Sequence, residues 1–253
     1  PQAGIFLGEM TDAGRGDLMS HSSRVAYLSL LMGLKLEGYL VRQRRRIHPV
    51  VAKEVTALGL GAMLHDVGVT ALPGEVYERF LKTGDDTDPE WREHPALGYK
   101  NTRGQIEPSA TTVILNHHQR YDGSGYAGKG NPILEGDRVH VFSRIVALAD
   151  HFDRMAYPPH RPAQPVVAAL RDLLRDDVHG KFDPHVMRGW FFALARLAER
   201  SQAPCRARGD GSERWVLLLM PVQHVRCAPS RFGHAHAFGH VAQVHHADGE
   251  RFH

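Results

Sequence analysis

Cysteine is nearly absent from this chain: two residues, Cys205 and Cys227, among 253, both near the C-terminus. Two are too few for a disulfide framework, and no CxxC pair offers a zinc or redox motif. The usage fits a reducing compartment, so a cytoplasmic location is expected. Long apolar runs are missing as well. The strongest, WVLLLMPV at 215–222, falls far short of the roughly 18 residues that cross a bilayer, so no membrane segment is expected. Nothing at the start reads as a secretion signal. Charge of one sign is also lacking: 31 basic residues against 28 acidic ones leave a net +3, which gives no case for a nucleic-acid partner. Strand patterns are few and no βαβ alternation is legible, which excludes most Rossmann and P-loop readings.

What the chain has in excess is histidine, 18 residues of it. Imidazole is the commonest metal-ligating side chain. Apolar periodicity predicts helices over residues 17–36 (Val25, Leu28, Leu31, Met32, Leu36), 50–64, 107–118, 138–155, 165–175 and 184–200. Pro158, Pro159 and Pro162 end the fourth of these. The basic stretch Arg42-Gln-Arg-Arg-Arg46 reads as a solvated face. Residues 84–90 (GDDTDPE) read as a loop leading into a helix start at Asp88-Pro89-Glu90. The body is therefore all-α. Three parts are expected: a lead-in over residues 1–14, a helical domain over 15–200, and a histidine-rich tail over 201–253. The tail is expected to be weakly ordered, with at most a small β-hairpin around residues 215–225.

Within the helical domain several histidines and aspartates fall at telling places. His65-Asp66 ends a strongly apolar helix, where an ionisable pair is costly unless something compensates it. His21 sits on the first helix, His94 follows the charged loop, His117-His118 end a helix, and Asp150 lies on the helix over 138–155. Each alone reads as a cap or a surface residue. As an ordered set they supply five imidazoles and two carboxylates, an inventory that suits two transition ions.

The order and spacing of these residues resemble the HD-GYP family, a branch of the HD metal-dependent phosphohydrolases. The likeness runs from His21 to Val186. Its motifs are His21-Ser-Ser-Arg-Val25, Leu64-His65-Asp66-Val-Gly68, His94-Pro95-Ala-Leu-Gly98 and His117-His118-Gln-Arg120. It continues through Asp122-Gly-Ser-Gly-Tyr126, Ala149-Asp150-His-Phe152-Asp153 and Phe182-Asp183-Pro184. The resemblance implies a helical bundle with a central metal site and hydrolysis of a cyclic dinucleotide, cyclic di-GMP first, to the linear dinucleotide or GMP. It implies two divalent ions, iron or manganese before zinc. His21, His65, Asp66 and Asp150 would hold one; His94, His117 and His118 would hold the other, with Asp66 bridging. Asp66 and His65 are the expected catalytic pair. Asp17, four residues before His21, stands where some members place a Glu for a third ion. Arg161 and Arg120 are the expected substrate cations. A diguanylate-cyclase-type or other signalling protein is the expected partner of the Gly125-Tyr126-Ala127 loop.

The chain departs from the family pattern at four places. Val69 replaces the lysine of HDxGK, Gln119 replaces the glutamate of HHE, and Ala127 replaces the proline of GYP. The basic segment after the metal aspartate reads Tyr157-Pro-Pro-His-Arg161-Pro and has lost one arginine. Every metal ligand is kept while the surroundings that grip substrate are eroded. The alternative reading is therefore a degenerate module that binds a nucleotide or a protein with little turnover. A broader nucleotide phosphohydrolase of the HD superfamily is a third reading.

Overall fold

The computed structural model describes residues 2–12, 16–176 and 180–201. Their helices are α1 (Gln2–Asp12), α2 (Gly16–Lys35), α3 (Glu37–Gln43), α4 (Pro49–Ala52), α5 (Thr56–Met63), α6 (Gly74–Thr83), α7 (His94–Thr102), α8 (Pro108–Asn116), α9 (Val141–Ala156), α10 (Val166–Asp176) and α11 (Pro184–Ser201). Three 3-10 turns join them, at Val67–Ala71, Trp91–Glu93 and Gly136–Arg138. No strand occurs among the described residues, so the fold is all-α as the periodicity predicts. No single described helix is long and apolar enough to cross a membrane. The hairpin expected around residues 215–225 and the histidines of the tail lie outside the described residues.

Helix α9 is the axis. Every residue from Val141 to Asp150 is buried, and α2, α5, α8, α10 and α11 pack around it. A helix surrounded on all sides must be apolar on all sides, and Phe142, Ile145, Val146, Leu148 and Phe152 meet that demand. They join Val25, Met32, Leu40, Leu58, Leu173 and Trp190 in one apolar cluster. A second cluster gathers Phe6, Met10, Leu18, Leu64, Val67, Val69, Phe80 and Trp91. The chain passes from the first to the second at His65-Asp66.

One charged side chain penetrates the first cluster. The Arg144 guanidinium donates to Asp183 Oδ2 at 2.6 Å, to the Tyr39 hydroxyl at 2.8 Å and to Gln43 Oε1 at 2.7 Å. Asp183 also accepts the backbone N–H of His185 at 2.8 Å. The network thus ties α3 and α9 to the start of α11 and leaves the buried charges paired.

The helix expected over residues 50–64 is two, α4 and α5, separated by Lys53–Val55. Arg44 accounts for the break. Its guanidinium donates to the carbonyls of Val51 (3.2 Å), Ala52 (2.8 Å) and Glu54 (3.4 Å), satisfying acceptors that a continuous helix would have used. The basic stretch is therefore only in part the solvated face expected of it: Arg42, Arg45 and Arg46 are exposed, but Arg44 is half-buried over the Phe142 ring.

Candidate metal centre

Five elements converge between the two apolar clusters. Helix α2 brings His21 against α9, which carries Asp150. Helix α5 stops at Leu64 (φ −105°, ψ 7°), and the following turn presents His65 and Asp66. His94 opens α7 with Pro95 in the first turn, where its missing N–H costs nothing. His117 and His118 leave the end of α8. Glycine makes the approach of two of these elements possible. A Cβ on Gly68 would run into the carbonyl oxygen of His94 and stand 2.5 Å from Gly98 N. Only with a hydrogen at residue 68 can the Val67–Ala71 turn lie this close to α7.

The described residues bring all seven of the expected ligands together and bury them. They form two groups whose donor atoms lie within 4.8 Å of one another: Asp66, His94, His117 and His118; and His21, His65 and Asp150. Asp66 faces both. Its Oδ1 is 3.2 Å from His94 Nε2 and 3.5 Å from His117 Nε2; its Oδ2 is 3.5 Å from His65 Nε2 and 3.7 Å from His21 Nε2. Asp17 is exposed on α2 and stands outside both groups.

The hydrogen bonds on the far side of each ring decide what the near side offers. His65 Nδ1 donates to the Ala62 carbonyl at 2.7 Å, His94 Nδ1 to Trp91 at 2.7 Å, and His117 Nδ1 to Ile114 at 2.8 Å. In each case the acceptor is the carbonyl three residues back, so the chain fixes the tautomer locally. His21 Nδ1 donates to Asp153 Oδ2 at 2.7 Å. A neutral ring that donates from Nδ1 carries its lone pair on Nε2. Those lone pairs then face one another: Nε2 to Nε2 is 3.2 Å for His65–His21 and for His94–His117. His118 Nε2 is also 3.2 Å from His94 Nε2. Asp66 Oδ1 and His118 Nδ1 are buried without a hydrogen bond. Acceptors aimed at acceptors in a buried site are costly unless a proton or a cation lies between them. This donor set, imidazole with carboxylate, fits a divalent metal.

The titrations agree for His117 and His118, while in the group of His21, His65 and Asp150 a proton on His65 stands in for the cation. Burial and the neighbouring imidazoles press His117 down to about 4, although Asp66 opposes them, so the ring is a neutral donor at pH 7. Burial also holds His118 well below its usual range. Burial would lower His65 too, but the Asp66 and Asp150 carboxylates beside it lift it to about 10. Burial would raise Asp66, and His65 with Arg154 more than reverse that, holding it well below the carboxylate range. The centre thus keeps its carboxylates ionised and demands positive charge in return.

A cleft of about 270 Å³ leads to this centre, lined among others by His21, Asp66, Arg24, Arg154, Trp91 and Tyr157. Sequence reasoning missed its cations. Arg154 donates from Nη2 to Asp66 Oδ2 at 2.6 Å and from Nε to Asp150 Oδ1 at 2.8 Å. Arg24 grips Asp153 with two bonds of 2.6 and 2.9 Å. The available signal was the i, i+4 spacing of Asp150 and Arg154 on one helix. The two expected substrate cations lie elsewhere: Arg161 is exposed and does not line the cleft, and Arg120 packs 4.8 Å over the Phe182 ring. The glycine-rich loop closes on the centre instead of pointing away. The Tyr126 ring stacks on His118 at 4.5 Å, and Ala127 is buried.

The fold and site together define a helical protein built around a buried His/Asp centre for divalent metal. The HD domain family model matches residues 30–186, and the chain belongs to that family. The chain is also similar to proteins named as phosphodiesterases of cyclic dinucleotides. It is 33% identical over 155 residues to a cyclic di-GMP phosphodiesterase response regulator of Xanthomonas campestris, covering 58% of this chain and 39% of that one. It is 30% identical over 179 residues to a cyclic di-GMP phosphodiesterase of Pseudomonas aeruginosa, covering 68% and 40%. It is 28% identical over 204 residues to a 3'3'-cGAMP-specific phosphodiesterase of Vibrio cholerae, covering 78% and 40%. The chain thus spans about two-fifths of the length of these relatives.

Proposed function

We propose that this chain is a metal-dependent phosphodiesterase that hydrolyses a cyclic dinucleotide, cyclic di-GMP first, to the linear dinucleotide or GMP. The observation that carries the reading is the sharing of Asp66 between two buried groups of inward-facing imidazole lone pairs. His21, His65 and Asp150 with Asp66 would hold one ion; His94, His117 and His118 with the other Asp66 oxygen would hold the second. Iron or manganese suits the set best. Bound ions of this kind supply hydroxide near neutral pH and neutralise charge on a phosphodiester.

The chain's own residues do the positioning. Asp66, at the inner end of the cleft, orients the attacking water; His65 beside it, its ring fixed by the Ala62 carbonyl, would offer Nε2 to the ion. Arg24 and Arg154 line the cleft, held by carboxylates, where they can meet an entering phosphate. The cleft is smaller than the roughly 300–1,000 Å³ of an enclosed ligand pocket. A cyclic dinucleotide would seat one phosphodiester in it and lay its bases toward the rim. The relatives named above support the substrate class and leave both cyclic di-GMP and 3'3'-cGAMP in play. The test is incubation of manganese-loaded protein with each dinucleotide, followed by chromatography of the products. Linear dinucleotide or GMP is expected; none above a metal-free control overturns the proposal.

One observation favours the alternative of a binding module with low turnover. Two positions that carry charge in the family pattern serve packing here. Val69 is fully buried in the second apolar cluster. The Gln119 amide is buried and holds the loop backbone at Pro132 O (3.0 Å) and Leu134 N (3.1 Å). The same experiment separates the readings: retention of metal and dinucleotide with no product marks the module.

A further inference from the structure

The two halves of the centre are not equivalent, and Arg154 is the reason. In the group of Asp66, His94, His117 and His118, the carboxylate oxygen is free: Asp66 Oδ1 is buried and accepts no hydrogen bond. In the group of His21, His65 and Asp150, the carboxylate oxygens are already engaged. Asp150 Oδ1 takes Arg154 Nε at 2.8 Å, and Asp66 Oδ2 takes Arg154 Nη2 at 2.6 Å. These are the oxygens that face His21 and His65. The guanidinium is held there by more than charge. It springs from α9 one turn after Asp150, and it lies 5.1 Å from the Phe80 ring centroid and 5.9 Å from that of Trp91. It also has an exit, because Arg154 lines the cleft and its side chain keeps 22% of its exposure.

We infer that Arg154 is a resident counter-cation that makes the two ion positions fill in order. This rests on the metal-centre reading above and goes beyond it. The position at Asp66 Oδ1, His94, His117 and His118 takes its ion first. The position at His21, His65 and Asp150 takes one only as the guanidinium leaves the two carboxylates for the cleft. An ion arriving there must replace two charge-assisted hydrogen bonds and lie beside a like charge in a site of low dielectric. The first position carries neither burden. Once displaced, the guanidinium stands in the cleft, where an anionic ligand would meet it.

The experiment is titration of chelator-stripped full chain with Mn²⁺, followed by calorimetry and by elemental analysis after desalting. The parent protein is expected to bind in two steps, the second weaker by about tenfold or more, the scale on which residues behind metal ligands act. Arg154→Gln keeps a hydrogen-bond donor and removes the charge; it should bring the second step to within about threefold of the first and leave the first in place. Arg154→Lys, which keeps the charge, should retain a gap. Arg171→Gln, an exposed site on α10, controls for net charge and should titrate like the parent. His21→Gln should abolish the weak step and His118→Gln weaken the tight one. Circular dichroism checks that each variant is folded. An unchanged gap in Arg154→Gln, or loss of the second step, overturns the inference while leaving a two-ion centre standing. No Mn²⁺ uptake by parent or variants overturns the metal-centre reading and this inference with it.

Discussion

Histidines in this chain do two different jobs, and the role of Nδ1 separates them: it donates at the centre and accepts at a helix cap. Four of the five at the centre, His21, His65, His94 and His117, turn Nε2 inward because a backbone carbonyl or Asp153 holds Nδ1. His140 instead caps α9: its Nδ1 accepts the N–H of Phe142 at 3.3 Å. Burial, with the Arg44 and Arg144 guanidinium groups nearby, pulls His140 down to about 4. Its folded value is therefore below its unfolded one of about 6.5. As pH falls through that window the unfolded chain takes up a proton that the folded chain refuses, so stability is lost from about pH 6.5 down to about pH 4. Above the window His140 has no effect. His140→Ser keeps a capping oxygen and removes the titration. Urea unfolding at pH 7 and pH 5 should show the variant losing less stability than the parent, by on the order of 1–2 kcal/mol. The comparison between proteins cancels the histidines they share. Equal losses would mean that residue 140 titrates normally in the folded state.

The seven ligands are legible residue by residue because each stands in a short motif with the next ligand type at an expected distance. The residues that serve them are less so. Asp153 stands in one of those motifs, yet its partner His21 is 132 positions away. Arg154 bonds Asp66 across 88 positions. Nothing local marks such pairs.

At the scale of elements, legibility follows apolar content. Helices α2, α8, α9, α10 and α11 fall within a few residues of their expected bounds, since each presents a long apolar face. Four go unread. Helix α1 lies in the expected lead-in, yet it buries Phe6 and Met10 in the second cluster. Helices α3, α6 and α7 have at most ten residues each, too short for periodicity to stand out. Helix α6 buries only Val76, Tyr77 and Phe80 from its ten residues. The most demanding contact in the fold is equally silent in sequence: the turn after Asp66 pressed on the start of α7 at Gly68. Gly68→Ala must push these apart, because the obstruction is backbone and cannot swing aside. Overpacking of this kind costs about 1–3 kcal/mol or more, and the displacement separates Asp66 from His94. Thermal melts and Mn²⁺ binding should both fall in this variant. A protein with parental metal affinity would show that the turn has slack.

At the scale of the whole molecule, the centre is the seam between two apolar clusters, and this gives the metal a structural consequence. His21 and Asp150 come from helices of the first cluster; His94 follows Trp91 of the second; His65 and Asp66 stand at the crossing. Without an ion, the seam consists of ionised carboxylates, inward-facing lone pairs and one arginine. Each is costly to bury, so the seam is where the two clusters should part most easily. An ion that binds only the folded chain stabilises it by mass action, by about 2.7 kcal/mol at a hundredfold excess over its dissociation constant. For a domain of this size each kcal/mol moves the midpoint by about 2–4 °C. Stripping the protein with a chelator should therefore lower its melting temperature by about 5–10 °C, and returning Mn²⁺ should restore it. Asp66→Asn, which removes the shared carboxylate charge, should melt at the same temperature with and without Mn²⁺. If that variant still gains stability from the ion, the stabilising site is not this one. Candidates would then have to be sought among the histidines of the tail, and a chain truncated after residue 201 would distinguish the two.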